Sequence, residues 1–284
     1  MQRSEANSEG ATSPWWGCLR DNRWASPWTG MSWRKLHSPL LFQWGKALQR
    51  QPQHWPEGCT PLDPDMTRRI EQWRASLLAS QDTVSRTDLG AGSRAHRRTD
   101  HDGQDVRRVA ELAQNSLTPL ADVQSLVRWL RMVRPEGRFL ELGTSLGVTT
   151  AHLATSGWHI DTWEGCPDTL RLAQEGWKEV GCDAHITAKQ GAFNDHIEAL
   201  EDDAWDVVYL DGHHQGEATL NLAKALAPRT AVAMVVDDIA WSRDMYRAWE
   251  ELRMQDGWRV TFTWRGRGFL LKAPEMARQH LRLA

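Results

Sequence analysis

Cysteine is scarce in this chain: four residues in 284, at positions 18, 59, 166 and 182. No pair stands at C-x-x-C spacing and no histidine pair completes a set, so a structural zinc module is excluded and reduced thiols are expected. A dominant charge is also missing. Thirty-four Lys and Arg against 37 Asp and Glu leave a net charge of −3, which gives no basic surface for a nucleic-acid partner. The basic cluster Arg94–Arg98 reads as a solvated loop. No apolar run approaches the roughly 20 residues that span a bilayer, and the N-terminus has no hydrophobic signal core. A soluble, cytoplasmic protein is the expectation, with no membrane partner; oligomeric state is not readable. Tyrosine (two) and phenylalanine (five) are rare while tryptophan (17) is abundant, yet aromatics total only 8%. Tryptophan is therefore read as filling positions other aromatics usually take, not as a set of ligand-stacking platforms.

What is present falls into three parts. Residues 1–30 are rich in Ser, Gly, Pro, Asn and Trp without any period and read as a disordered extension; Met31 is a candidate start. Residues 31–115 show helical periodicity, with Leu40, Leu41, Trp44 and Leu48 on one face and Ile70, Trp73 and Leu77 on another. Gln51–Pro64 is a proline-rich loop, and Val106, Val109, Leu112 and Ala113 are expected on one helix stripe. Residues 116–284 alternate short apolar strands with helices, the pattern of parallel β-α-β units covered on both faces. The final strands flank Arg265-Gly266-Arg267 as a hairpin. The expected fold is an α/β, Rossmann-like doubly wound, mostly parallel seven-stranded sheet with a C-terminal antiparallel hairpin, preceded by a helical lid region.

Glu141-Leu142-Gly143-Thr144-Ser145-Leu146-Gly147 joins a buried strand to a helix near Val148. Gly143 is expected to let backbone approach a ligand, and Gly147 to let helix pack against strand. Such a turn lies at the carboxyl ends of the strands, where open α/β sheets bind ligands. Glu164, 21 residues after Gly143, ends the second strand and can accept hydrogen bonds from both hydroxyls of a ribose. The G-x-x-x-G spacing differs from the G-x-G-x-x-G of a pyrophosphate turn. Glu141, two residues before the first glycine, suits a ligand with a cationic amino group, so S-adenosylmethionine is favoured over a dinucleotide. Gly191-Ala192-Phe193 follows the third strand, where adenine would lie; for Phe193, adenine contact and plain core packing both stand. Asp88–Ser93 also reads as a glycine turn, but the polar stretch Arg94–Asp102 after it cannot be the apolar helix required.

The fourth strand ends at Asp211, followed by Gly212-His213-His214, and the fifth at Asp237-Asp238. Three carboxylates converging on one point repel unless a cation sits among them. An all-oxygen set favours Mg2+, which would bind an acceptor hydroxyl and lower its pKa. The other reading has no metal: Asp211 lies near the donor, and Asp237-Asp238 caps the helix near Ser242. His213 and His214 are the base candidates, because imidazole titrates near neutrality.

These motifs resemble those of class I methyltransferases of the catechol O-methyltransferase-like branch: the E-L-G-T-S-x-G turn, the Asp ending strand four and the acidic pair ending strand five. The chain is also similar to a group of bacterial methyltransferases common in Bacteroidetes, through His37-Ser38-Pro39, Asp88–Ser93, Glu141–Gly147, Glu164–Pro167, Asp211–His214, Asp237–Ser242 and Ala248–Glu250. The resemblance spans about residues 33–284 and implies the fold and the methyl donor. In catechol O-methyltransferases the metal is held by Asp, Asp and Asn with a lysine base; this chain has Asp238 at the Asn position and His214 at the lysine position. The expected function is transfer of a methyl group to a hydroxyl of a small molecule. Two alternatives are a metal-dependent hydrolase built on the Asp/His cluster and a catalytically silent cofactor-binding module.

Overall fold

The computed structural model describes residues 34, 36–49, 55, 61–87 and 105–283. The expected extension 1–30 and the Asp88–Ser93 turn lie outside them. Helix α1 (Pro39–Ala47) starts on Ser38, whose hydroxyl caps Leu41 N, with Pro39 in the first turn where its missing N–H costs nothing. Helix α2 (Pro64–Ala79) starts the same way on Asp63 and Pro64, and buries Ile70, Trp73 and Leu77. Strand β1 (Thr83–Ser85) then pairs antiparallel with β2 (Val106–Arg108). Val106 thus belongs to a strand, and the helix expected there, α3 (Val109–Ser116), begins only at Val109. The reason is long-range: β2 exists because β1 supplies its ladder, and Arg107 is buried against Asp105 at 2.6 Å. Helix α4 (Leu120–Val133) follows, with Val123, Leu126, Val127 and Leu130 buried as their spacing predicts.

The main sheet is built from β3 (Arg138–Leu142), β4 (His159–Glu164), β5 (Ile186–Gln190), β6 (Trp205–Leu210) and β7 (Thr230–Val236), all parallel to their neighbours. Between them run α5 (Val148–Ala154), α6 (Pro167–Val180), α7 (Phe193–Glu198) and α8 (Gly216–Leu226), and α9 (Arg243–Leu252) follows β7. Strands β8 (Val260–Trp264) and β9 (Arg267–Leu271) form the hairpin, β9 lying antiparallel against β7. Its turn is Arg265-Gly266, with φ of 49° and 80°, the two left-handed positions a tight hairpin needs. A further strand, β10 (Gln279–Arg282), joins β8, so the sheet has eight strands where seven were expected, in the order β10-β8-β9-β7-β6-β3-β4-β5. Gln-His-Leu-Arg carries no apolar alternation; its extended form comes from the free edge of β8 that it covers.

Residues alternate between two cores, as successive side chains of a strand must. Phe139, Val207, Tyr209 and Val235 face the layer containing Val127 and Leu130, while Leu140, Val208, Leu210 and Met234 face Leu222, Leu226 and Trp249. A third cluster joins Ile70, Trp73, Leu77 and Leu112 to Leu146, Ala151, Leu170 and Trp177. The N-terminal helices therefore share a core with the helices of the sheet. Trp44, Trp73, Trp129, Trp158, Trp163, Trp177 and Trp249 are all buried, so tryptophan does serve as core filler. Among the described residues no helix is long and apolar enough to cross a membrane.

Candidate active site

Strand β3 has neighbours on both sides, β4 and β6, and the chain passes from one side to the other. That topological switch opens a crevice at the carboxyl ends, where the Gly143–Gly147 turn lies. Gly143 adopts φ 106°, and a Cβ there would sit 2.3 Å from the Asp211 carbonyl oxygen. Its glycine character thus serves the close approach of the β6 end. Gly147, at φ 73°, would drive a Cβ to 2.6 Å from Ala173 Cβ, and its carbonyl accepts a 2.8 Å bond from Trp177 Nε1. The element packed against it is helix α6 and not the strand expected.

The two glutamates diverge. Glu141 is turned beneath the turn, 2% exposed, and its Oε2 accepts from Thr150 Oγ1 at 2.6 Å and Thr162 Oγ1 at 2.7 Å. Thr144 is drawn into the same buried cluster, 2.6 Å from Thr162. Burial pushes the Glu141 carboxyl up to about 7 against the pull of the two hydroxyls. The expected amino-group ligand is thus turned inward. Glu164 behaves as a clamp at the crevice: Oε2 accepts from Ser145 N at 2.7 Å and Oε1 from Cys166 N at 2.9 Å. Burial raises its pKa, while those N–H groups and the Arg86 charge pull it back. Gly165 N–H is a third backbone donor to this carboxylate, and of its about four lone-pair sites one remains for a ligand hydroxyl. Ser145 also reaches Ser116 Oγ at 3.1 Å, which ties the turn to α3.

Asp211 N bonds the Leu142 carbonyl at 2.9 Å, and Gly212 lies flat against Phe193, where a Cβ would come within 2.6 Å of the ring. His213 (φ 66°), His214 (φ 44°) and Asp238 (φ 51°) are non-glycine residues in the left-handed region, and such strain concentrates at functional sites. His213 meets Phe193 edge-on with centroids 5.2 Å apart. His214 stacks on Trp241 at 5.2 Å, and its Nδ1 is 3.9 Å from Asp238 Oδ2. Desolvation, followed by the charges of Asp237 and Asp238, holds Asp211 well above the usual carboxylate range. Gly191 and Ala192 are half-buried beside α7, and Phe193 packs in the core.

Residues 140–239 match a family model described as a methyltransferase domain. The match runs from β3 to just beyond β7, the stretch that holds the glycine turn, Glu164 and the strand-end aspartates. A comparison with curated proteins found no match. Among solved structures, the fold is similar to a putative caffeoyl-CoA O-methyltransferase from Staphylococcus aureus, at 16% identity and TM-score 0.51, covering 58% of this chain and 88% of that one. It is also similar to a methyltransferase from Podospora anserina solved with S-adenosylhomocysteine bound, at 11% identity and TM-score 0.51, covering 75% and 90%.

The metal expected among Asp211, Asp237 and Asp238 does not fit the donors as they stand. Among the described residues no group of three or more His, Cys, Asp or Glu is arranged to hold a metal ion. The physical reason is Arg267. Asp237, 2% exposed, turns its Oδ2 into the protein, 2.9 Å from Arg267 Nε, and also accepts the Tyr209 hydroxyl. Nor does the acidic pair cap α9: Ser242 does, through Oγ to Met245 N at 3.1 Å. Arg267 was missed from sequence because it stands 30 residues beyond Asp237; its place in a hairpin after strand five was the available signal. Thr150, Thr162, Ser116 and Arg86 carried none, since each joins the site by packing alone.

Proposed function

We propose that this chain is an O-methyltransferase that transfers a methyl group from S-adenosylmethionine to a hydroxyl of a small molecule. The observation that carries the reading is the Glu164 clamp. One carboxylate at the end of β4 binds the backbone of the glycine turn, which sets it where the ribose hydroxyls of a nucleotide-type ligand beside that turn would lie. The donor contacts would come from the backbone of Gly143, Ser145 and Gly147, the carboxylate of Glu164, the segment Gly191-Ala192, and Asp211.

S-adenosylmethionine supplies a methyl carbon on a sulfonium leaving group; the C–S bond breaks as the C–O bond forms. The chain must align the acceptor and take its proton. His214 is the base favoured by the geometry, because Trp241 fixes its ring plane and Asp238 faces its Nδ1. His213 is the second candidate, seated against Phe193. The hydrolase alternative would need cations among carboxylates of which one is committed to Arg267.

The test is calorimetric titration with S-adenosylmethionine, followed by S-adenosylhomocysteine release over a panel of phenols, catechols and aliphatic alcohols. Saturable binding with hydroxyl-dependent turnover is expected. Binding without turnover on any acceptor would leave a silent module, and absence of binding would sink the reading.

A further inference from the structure

Three carboxylates end the neighbouring strands β6 and β7, and a counter-charge already reaches them from inside the protein. Asp237 is the first residue beyond β7 and Arg267 the first of β9. The register sets Val236 opposite Gly268, so Asp237 and Arg267 are the next cross-strand pair along the ladder. Both are 2% exposed, with Nε and Oδ2 2.9 Å apart. Arg267 Nε also lies 3.2 Å from the Tyr209 hydroxyl, which donates to the same carboxylate. Of the other two carboxylates, Asp238 faces the His214 ring. A hard divalent ion wants several oxygen ligands at once. Gathering them here means rotating Asp237 off Arg267 and leaving a buried guanidinium without its partner, a costly exchange.

We propose that Arg267 is the resident cation of this site: it takes the place a divalent ion would hold among the strand-end carboxylates and positions Asp237. Granting the methyl transfer proposed above, the reaction then runs without a divalent metal. The acceptor proton passes to the histidine base as the C–O bond forms, and the sulfonium sulfur departs with the C–S electron pair. Arg267 touches neither donor nor acceptor in this scheme; it is a positioning residue. Lysine would not substitute for it freely, because a guanidinium offers planar, directional donors from Nε that an ammonium lacks.

The test is a Mn2+ titration of the full chain followed by water-proton relaxation, in the wild type and in Arg267→Met. The wild type is expected to show no saturable site among these residues. Arg267→Met is expected to gain one, since its carboxylates lose their internal cation. A saturable wild-type site that Asp238→Asn removes would overturn the proposal, as would an Arg267→Met protein that folds and gains no site. If Arg267→Met does not fold, the comparison of wild type with Asp238→Asn decides by itself. Turnover is measured in parallel with chelator and with added Mg2+, and equal rates are expected. A chelator-sensitive rate restored by Mg2+ would overturn the proposal, whereas no turnover in either condition would count against the methyl-transfer reading and leave the Mn2+ result standing.

Discussion

Arg267 Nε lies 2.9 Å from Asp237 Oδ2, joining the first residue of β9 to the first beyond β7 in a pair closed to water. A buried ion pair contributes little net stability compared with an apolar pair, but losing one partner strands the other charge. Asp237→Asn should therefore destabilise the fold, by about 3 kcal/mol or more, read from urea unfolding. A variant as stable as the wild type would show that the guanidinium does not depend on this partner.

Glu164→Gln keeps the shape of the clamp and removes its charge. Hydrogen bonds to a charged group are worth about 1.5–3 kcal/mol, so S-adenosylmethionine affinity should fall by roughly ten- to a hundredfold, measured by calorimetry. Affinity unchanged in a folded variant would move the ribose elsewhere.

Glu141 should make stability depend on pH. Its folded pKa of about 7 lies above the ordinary 4.5, so between these values the folded protein holds a proton that the unfolded chain has released. Stability present below about pH 4.5 is thus lost as pH rises towards 7. Glu141→Gln cannot titrate and can still accept from Thr150 and Thr162. Relative to the wild type, it should gain about 2 kcal/mol between pH 5 and pH 8, read from denaturation midpoints at both pH values. A difference that does not change with pH would contradict the burial of an ionisable carboxyl there.

Trp73 ties α2 to the sheet's own helices. Its ring lies so close to Gly176 that a Cβ there would come within 2.0 Å of it, and the residue is 7% exposed. Trp73→Ala should cost about 3–5 kcal/mol in unfolding free energy and should lower the whole transition, not produce a second one. Two separate transitions would show that the N-terminal helices fold independently.

Much of this was legible from local pattern. The glycine turn, the acidic residue ending β4, the strand-end Asp211 and the β-α alternation are short-range signals, because a turn needs its glycines and a buried strand its apolar run. What local pattern misjudged was the reason for several residues. Gly143 reads as room for a ligand and also makes room for the Asp211 carbonyl. Glu141 reads as a ligand contact and is buried among threonines. Val106 reads as helix and pairs in β2, and Gln279–Arg282 shows no strand pattern at all.

By itself, then, the sequence determined that a glycine turn and a carboxylate would stand at neighbouring strand ends, with Asp and His side chains following the next two strands. Those outcomes follow from residues adjacent in the chain and from the obligatory placement of turns at the ends of strands. Only the tertiary structure decided what balances the acidic cluster. The sequence shows three carboxylates and no cation among their neighbours, so a bound metal is the economical inference. The antiparallel return of β9 against β7 brings Arg267 to Asp237, and a pairing set by strand register over 30 residues leaves no mark in local spacing or composition.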